Sequence, residues 1–262
     1  MDTRRTALVT GASSGIGAEL ARLLAQGRHD LVLVARQTRR LEELAQDLRQ
    51  RFGIRATVMS KDLSAPAAAE EVYAQVQREG IQVDVLVNNA GFAVYGLFAG
   101  NSLESELQMI QVNLVALTSL TKLFLRGMVE RGHGKILNVG STGSFEPVPL
   151  ASVYGATKAY ILSFSEAIAE ELRGTGVTVT ALCPGATATE FAARADLAGA
   201  RLFRSGVMSA REVALVGYRA LMRGQTTVVA GLANKALIFS LRLAPRAAVA
   251  RIAGWMMSGK KP

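Results

Sequence analysis

The stretch Thr6-Ala-Leu-Val-Thr-Gly-Ala-Ser-Ser-Gly-Ile-Gly17 decides the fold. A short strand-like run leads directly into a glycine-rich turn, and residues 17–24 have the apolar spacing of an amphipathic helix. Glycine permits the tight turn and lets the backbone approach a pyrophosphate, which the positive end of the following helix attracts. Because the spacing is Gly-x-x-x-Gly-x-Gly and not Gly-x-Gly-x-x-Gly, the turn alone leaves a purely structural role open.

The alternation of strand and helix continues along the chain. It predicts a doubly wound, Rossmann-like α/β fold, in which a parallel sheet of about seven strands carries helices on both faces. The predicted strands are residues 7–9, 31–34, 56–59, 83–87, 135–139, 177–182 and 226–230. The predicted helices are residues 17–24, 41–51, 67–79, 102–130 and 153–173.

Length and composition favour one domain, residues 1–231, with a C-terminal appendage, residues 232–262. The apolar runs are shorter than the roughly 20 residues that cross a bilayer, and the first residues lack a secretory pattern, so we expect a cytoplasmic protein. The single cysteine, Cys183, lies in an apolar run and is expected to be a small buried residue. The two histidines show no metal-ligand spacing, so no metal site is expected.

The positive charge is concentrated in the C-terminal part of the chain. The net charge is +9, and the eight basic residues after Glu212, where no acidic residue follows, leave only +1 for residues 1–212. In this tail the basic residues alternate with Leu, Ile, Phe and Trp. That pattern is typical of an amphipathic helix and not of a basic arm that tracks phosphates, so no nucleic-acid partner is expected.

Several motifs follow the glycine turn in an order that resembles the short-chain dehydrogenase/reductase (SDR) family. They are Asn88-Asn-Ala-Gly91 after a strand, Asn113 in a helix, Ser141 after a strand, Tyr154-Gly-Ala-Thr-Lys158, and Pro184-Gly185 with Thr187 and Thr189. The likeness extends to about Gly231. The resemblance implies an oxidoreductase that transfers a hydride between a nicotinamide cofactor and a carbonyl or the matching alcohol.

The resemblance also implies where the cofactor lies. The glycine turn would hold the pyrophosphate, two residues would border the adenine, three would lie beneath the adenosine ribose, and a later loop would close over the nicotinamide. The pyrophosphate residues are Gly11, Ser13, Ser14, Gly15, Ile16 and Gly17, and the adenine residues are Asp62 and Leu63. The ribose residues are Asn89, Ala90 and Gly91, and the residues of the later loop are Pro184, Gly185, Thr187 and Thr189. Asn113, Tyr154 and Lys158 complete the set.

The end of the second strand indicates NADP(H) rather than NAD(H). An acidic residue there would accept a hydrogen bond from the ribose 2′-hydroxyl of NAD and repel a 2′-phosphate. This sequence has Arg36 at that place, followed by Arg39 and Arg40. A guanidinium binds phosphate through charge-assisted hydrogen bonds, so Arg36 is the first candidate and Arg40 the second. A solvated helix start is the alternative interpretation.

Ser141, Tyr154 and Lys158 indicate the chemistry. Reduction of a ketone needs a proton donor at the oxygen, and a tyrosine with a pKa of about 10 would need about 4 kcal/mol of help to exchange protons near neutrality. Lys158 lies one helical turn after Tyr154, where its ammonium can stabilise the phenolate. Ser141 would polarise the carbonyl. By the resemblance, Lys158 also anchors the nicotinamide ribose, and Asn113 holds a water that links Lys158 to solvent.

The segments expected to shape the substrate side are residues 92–98, 142–151 and 190–210, the last a candidate lid. Their apolar residues are Phe92, Tyr95, Phe98, Phe145, Val148, Leu150, Phe191, Leu197 and Phe203. They predict an apolar or bulky small-molecule carbonyl or alcohol. A cofactor-sensing regulatory protein or a membrane-associated interaction protein on the same fold is the alternative, which the joint presence of Ser141, Tyr154 and Lys158 disfavours.

The long helices and the tail bear on assembly. SDR enzymes commonly pair helices such as residues 102–130 and 153–173 between subunits, so the resemblance implies a homodimer, with a homotetramer as the alternative. Residues 232–262 have three candidate roles: a subunit contact, a flap beside the substrate pocket and a peripheral membrane contact. A packed or interfacial helix is favoured over a membrane anchor, since a stable anchor usually needs more than one such signal.

Overall fold

The computed structural model describes residues 4–195, 199–203 and 206–259. Its strands are β1 (Thr6–Thr10), β2 (Asp30–Ala35), β3 (Ala56–Ser60), β4 (Val83–Asn88), β5 (Gly134–Val139), β6 (Val177–Cys183), β7 (Thr187–Ala188), β8 (Met208–Ser209) and β9 (Thr227–Val229). Seven of them form one parallel sheet in the order β3-β2-β1-β4-β5-β6-β9, and β7 pairs with β8 separately. The seven-stranded Rossmann-like sheet is confirmed, with every predicted strand placed to within one residue at each end.

Ten α-helices surround the sheet in the described part of the chain. They are α1 (Gly15–Gln26), α2 (Thr38–Phe52), α3 (Ala68–Arg78), α4 (Leu103–Ile110), α5 (Leu117–Glu130), α6 (Ser152–Glu171), α7 (Glu190–Arg194), α8 (Ala210–Arg223), α9 (Leu232–Leu241) and α10 (Arg246–Met257). The predicted helix 102–130 is interrupted by a π-helical segment, Gln111–Ala116, between α4 and α5. Helix α8 was not predicted, although Ser209 and Glu212 form a capping box at its start.

The two faces of the sheet are covered by separate apolar layers. Leu20 of α1, Leu41 of α2 and Leu221 of α8 belong to the core on one face. Val72 of α3 and Phe124 of α5 belong to the core on the other. Because β1 has β2 on one side and β4 on the other, the order of the strands reverses there, and folds of this type bind ligands outside the carboxyl ends of the strands at that point.

One continuous helical stretch, Leu103–Glu130, is long and apolar enough to cross a membrane by length and composition. A core helix meets the same criterion, and this stretch packs against β4 and β5 through α5. Leu120 and Met128 are completely or almost completely buried there. These contacts favour a core helix, one side of which remains exposed.

The tail contains two helices, and we use the name hairpin for α9, α10 and the connection between them. The connection contains Pro245, and α10 begins directly after this proline. The hairpin packs on the domain: the hydroxyl of Tyr95 donates to the carbonyl of Met257 at 2.7 Å, and Arg201 donates to the carbonyl of Trp255 at 2.9 Å. The division of the chain at Gly231 remains a prediction.

The turn between α6 and β6 yields a stability prediction. Gly174 and Gly176 both have positive φ, +83° and +80°. A Cβ at Gly176 would collide with the backbone carbonyl of Gly132, whereas one at Gly174 would meet nothing within 4 Å. Gly174→Ala should therefore cost only the left-handed strain, about 1 kcal/mol, and Gly176→Ala about 1–3 kcal/mol more because the backbone must move. Urea unfolding of both variants tests this, and equal losses would contradict it.

Candidate active site

The candidate site lies where the carboxyl ends of four parallel strands meet. The glycine turn follows β1, residues 89–91 follow β4, Ser141 follows β5, and the loop that begins with Pro184 follows β6. The strand pairing aligns these ends, since Asn88 is opposite Asn138 and Val139 is opposite Leu182. The topology therefore brings together segments that are far apart in the sequence.

The glycine turn is held by the strand next to it. The side-chain amide of Asn89 donates to the carbonyls of Thr10 at 3.0 Å and Gly11 at 3.2 Å. The hydroxyl of Thr10 accepts from the backbone amides of Asn89 and Ala90, both at 3.0 Å. A Cβ at Gly17 would collide with the Asn89 amide and with the carbonyl of Gly11, so only glycine allows this close approach. Asn89 therefore supports the turn, a role that the sequence did not show.

The residues predicted to hold the pyrophosphate lie around the start of α1. Ser14 is the N-cap of α1 in extended conformation and makes no side-chain cap bond there, and α1 begins at Gly15. Ser13 and Ile16 are partly buried beside it. The methyl carbon of Thr189 lies 3.1 Å from where a Cβ of Gly15 would be, so the loop after β6 covers the turn. A backbone cradle of this kind matches an extended phosphate group.

The arginines at the end of β2 are both engaged in ion pairs. Arg36 lies 3.6 Å from Asp62, whose carboxylate also accepts from the amide and hydroxyl of Ser64. Arg40 contacts the carboxylate of Glu190, the first residue of α7, at 2.8 Å. A ribose phosphate at Arg40 would compete with a carboxylate only 2.8 Å away, whereas at Arg36 the carboxylate is 3.6 Å away. This difference supports Arg36 as the first candidate. Leu63, which follows Asp62, is buried in the apolar core, and its contact with an adenine remains a prediction.

Tyr154 and Lys158 lie in the first two turns of α6. Lys158 is only 5% exposed, and its ammonium donates to the carbonyl of Val139 at 2.8 Å, directly before the segment that carries Ser141. The ammonium nitrogen is 5.6 Å from the centre of the Tyr154 ring. The hydroxyl of Ser141 accepts from the amide of Gly143 and also bonds to Tyr154. The three predicted side chains thus form one cluster.

Burial dominates the electrostatics of this cluster. It raises the pKa of Tyr154 to about 12, and the hydrogen bond with Ser141 offsets only part of that rise. It lowers the pKa of Lys158 to about 8. The ammonium of Lys158 is directed at the carbonyl of Val139, and desolvation outweighs its effect on Tyr154. Stabilisation of the phenolate by Lys158 together with an oxidised nicotinamide remains a prediction.

Asn113 lies in the π-helical segment and is buried. Its side-chain amide donates to the carbonyl of Phe92 at 3.0 Å and to the hydroxyl of Thr157 at 3.1 Å, and its oxygen accepts from the amide of Phe92 at 3.2 Å. A Cβ at Gly91 would lie 3.0 Å from the Asn113 oxygen and 3.7 Å from the Lys158 nitrogen. Asn113 and Lys158 therefore face the same point, beside Gly91. Neither Thr157 nor the π-helical geometry was predicted.

The loop after β6 has its own internal bonds. The hydroxyl of Thr187 donates to the carbonyl of Gly185 at 2.9 Å, and Thr189 caps α7 by accepting from the amide of Phe191. Pro184 is buried, and the carbonyl of this residue accepts from the amide of Thr142 at 2.8 Å. The bond joins the loop to the segment that follows Ser141.

An apolar cluster borders Tyr154. It contains Tyr95, Val148, Leu150, Phe191 and Phe203, five of the residues predicted to shape the substrate side, together with Leu202 and Met257, which the sequence did not indicate. Three predicted members lie elsewhere. Phe92 packs in the core, Phe98 is 65% exposed, and Phe145 packs against Cys183. Leu197 falls outside the described residues.

The remaining chemistry-bearing residues have structural contacts. Cys183 is buried, and burial raises its pKa to about 12. His29 contacts the carbonyl of Leu24, and His133 lies 3.3 Å from Asp84. Among residues 4–195, 199–203 and 206–259, no group of three or more His, Cys, Asp or Glu side chains could hold a metal ion.

The fold and this cluster define a dinucleotide-binding α/β oxidoreductase. The family model described as short chain dehydrogenase matches residues 5–198. The NADP-dependent 3-hydroxy acid dehydrogenase YdfG of Escherichia coli K12 is 40% identical over 187 residues, which cover 70% of this chain and 73% of the relative. The chain belongs to the short-chain dehydrogenase family.

Two solved structures are similar over almost the whole chain. A short-chain dehydrogenase from Sphingobium yanoikuyae in complex with NADPH has a TM-score of 0.82 and 36% identity, covering 91% of this chain and 94% of that one. A structure reported for the stereoselectivity of 7β-hydroxysteroid dehydrogenase has a TM-score of 0.86 and 28% identity, covering 95% and 96%. Both support the same fold.

Proposed function

We propose that this protein is an NADP(H)-dependent oxidoreductase that transfers a hydride between the nicotinamide and the carbonyl or secondary alcohol of an apolar or bulky substrate. The observation that carries the proposal is the cluster of Ser141, Tyr154 and Lys158 at the carboxyl ends of β5 and β6. A regulatory protein that only binds the cofactor would not need this cluster, so that alternative is not favoured.

Each member of the cluster has a distinct role in the proposed reaction. The bound nicotinamide supplies or accepts the hydride. Ser141 donates a hydrogen bond to the substrate carbonyl, and Tyr154 delivers the proton to the same oxygen as negative charge develops. Lys158 turns from the carbonyl of Val139 toward the cofactor ribose and returns a proton to Tyr154. Asn113, which faces the same point beside Gly91, positions the water that connects Lys158 with solvent.

Four observations support NADP(H) as the cofactor. The glycine turn forms a cradle that side chains would fill, and Arg36 presents an exposed guanidinium at the end of β2. The similar YdfG protein is named as NADP-dependent, and the similar Sphingobium protein was solved with NADPH. The residues of the turn, the adenine end and the loop after β6 would hold it as the sequence predicts.

Arg36→Asp tests the cofactor assignment. The variant places a carboxylate where the 2′-phosphate would bind and removes a charge-assisted bidentate contact. The KM for NADPH should therefore rise by about 100-fold, while the KM for NADH should change by less than about threefold. Steady-state kinetics with both cofactors measure this. Arg39→Asp is the matched control, because Arg39 lies three residues after Arg36, in the first turn of α2, and pairs with Glu43 in solvent. Equal effects on the two cofactors would remove Arg36 from the site.

The substrate class follows from the apolar cluster beside Tyr154. The ring of Phe191 lies 5.7 Å from that of Tyr154, and Tyr95 and Phe203 pack against the same cluster. A wall of this kind excludes water and accepts a bulky apolar group. One similar structure concerns a hydroxysteroid dehydrogenase, whose name indicates a bulky apolar substrate.

We also infer that two copies of the chain associate through α4 and α6, with a homotetramer as the alternative. Leu103 and Leu107 of α4 are 70% and 54% exposed, and Tyr160 of α6 is 38% exposed. Exposed apolar residues on neighbouring helices favour a subunit contact. Sedimentation of the wild type and of Leu107→Glu would distinguish a dimer through this face from assembly elsewhere.

A panel of carbonyl compounds tests the proposed activity. NADPH consumption is followed for aliphatic, aromatic and polycyclic ketones, with Tyr154→Phe as the blank. We expect turnover to be greatest for the bulky apolar members and absent in the blank. If no member of the panel were reduced faster by the wild type than by the blank, the proposal would be wrong.

A further inference from the structure

The hairpin exposes large apolar side chains on its outer side. Its inner side, with Ile238, Val249 and Met257, is buried against the domain. Five large apolar residues remain more than half exposed: Leu232 at 83%, Phe239 at 65%, Leu243 at 78%, Ile252 at 57% and Trp255 at 62%. Packing within the subunit therefore accounts for the buried residues and leaves these five apolar side chains, which we call the patch, in solvent, as is typical of an interaction surface.

The charge of the hairpin restricts what can cover this patch. Its charged residues, Lys235, Arg242, Arg246 and Arg251, are all basic and exposed, and no acidic residue follows Glu212 in the sequence. A second copy of the same surface would place positive charge against positive charge. A bilayer that contains anionic lipid offers both an apolar interior and negative charge, which is the combination that basic amphipathic helices bind.

We propose that the hairpin binds the surface of an anionic lipid bilayer, with Trp255 at the level of the headgroups. Tryptophan favours this boundary because its ring is apolar and its N–H needs a polar partner. Arg251 and Ile252, which precede it on α10, are both exposed and provide charge and apolar area beside it.

The hairpin also connects this surface to the apolar cluster beside Tyr154. Met257 at the end of α10 belongs to the cluster, and its carbonyl accepts from the hydroxyl of Tyr95. The guanidinium of Arg201 lies 4.8 Å from the centre of the Trp255 ring, and the neighbouring Leu202 packs on the cluster. This part of the inference rests on the proposed function: the substrate is a carbonyl or alcohol that partitions into the bilayer and reaches the site beside α10.

Vesicle binding of the full chain tests the proposal. Trp255 is the only tryptophan, so the intrinsic tryptophan emission reports on this surface alone. Phosphatidylcholine vesicles that contain phosphatidylglycerol should shift the emission to shorter wavelength, and brominated acyl chains should quench it. Pure phosphatidylcholine should have much less effect, and high salt should reverse binding, because exposed charges are screened.

Charge reversal on the hairpin supplies the matched variants. Arg251→Glu removes one positive charge and adds a negative one. Each unit of charge changes the partition coefficient by about fivefold, so binding should weaken by about 25-fold. Arg78→Glu makes the same change at the end of α3, which leads to the amino end of β4, and should leave binding unchanged. Tyr154→Phe should bind vesicles like the wild type, which separates this test from the test of activity.

Three outcomes would overturn the proposal. One is the absence of an emission shift with anionic vesicles, and another is binding that Arg251→Glu and Arg78→Glu weaken equally. The third is an emission shift that depends on protein concentration without lipid, which would identify a second copy of the chain as the occupant. Delivery of the substrate from the membrane is tested separately, by the ratio of the KM for a bilayer-soluble ketone to the KM for a water-soluble ketone. If the protein binds vesicles but the vesicles leave this ratio unchanged, the substrate does not reach the site from the bilayer.

Discussion

Tyr154→Phe should reduce kcat by about 10²–10⁴-fold, the usual contribution of a positioned general acid. Phenylalanine keeps the ring and its contact with Phe191 but removes the hydroxyl that bonds to Ser141. Because burial raises the pKa of Tyr154 to about 12, the hydroxyl carries its proton throughout the neutral range and can act as a donor. Titration of the variant with NADPH by fluorescence should give a dissociation constant within a few-fold of the wild type.

Tyr160→Phe is the matched control for this change. Tyr160 lies on the same helix, stacks on Phe164 and bonds through its hydroxyl to Thr118 at 2.9 Å, on the exposed side of α6. Its loss should leave kcat within about twofold, since the hydroxyl is remote from the cluster. Turnover retained in Tyr154→Phe, or lost equally in both variants, would show that the proton comes from elsewhere.

The fold could be predicted from the sequence because its signals are local. Each strand is a short β-branched run that ends at a polar or glycine-rich joint, so periodicity locates it to within a residue. Helix α8 was missed, although the Ser209–Glu212 capping box marks its start. The π-helical turn at Gln111–Ala116 has no periodic signature and depends on tertiary packing.

The site was predicted only as far as its residue types and order allow. Ser141, Tyr154 and Lys158 do come together, since the topology brings the ends of β5 and β6 beside α6. The partners of these residues depend on distance in space. Local sequence carries no signal for the acceptor of Lys158, for the pairing of Arg40 with Glu190 or for the contribution of α10 to the apolar cluster beside Tyr154.

The environment of Lys158 has a consequence for stability. The side chain is buried, and its pKa falls from 10.5 to about 8, so the folded state disfavours the ammonium that the unfolded chain carries freely. At pH 7 a shift of this size corresponds to a penalty of about 3 kcal/mol. The hydrogen bond to the carbonyl of Val139 returns about 1–2 kcal/mol. The active site therefore lowers the stability of the cofactor-free protein.

Lys158→Met should abolish turnover and yet raise the free energy of unfolding of the cofactor-free protein by about 1–2 kcal/mol at pH 7. Methionine has similar length and no charge to desolvate. The pKa of Lys158 is lower in the folded state, so the cost of burying the ammonium is complete below pH 8. As the pH rises, the folded state loses this proton first, and the cost disappears by about pH 10.5, where the unfolded state loses it too. The advantage of the variant in urea unfolding should therefore decrease as pH rises through this range.

Lys135→Met provides the comparison, because Lys135 also donates to a backbone carbonyl, that of Met222, but at the amino end of β5 and with less burial. Since its ammonium is desolvated less, this variant should gain less stability and should keep its turnover. A Lys158→Met protein that is less stable than the wild type at pH 7 would mean that the ammonium is held by more than the Val139 carbonyl. A stability gain without loss of turnover would remove Lys158 from the reaction, because the buried charge would then serve neither folding nor catalysis.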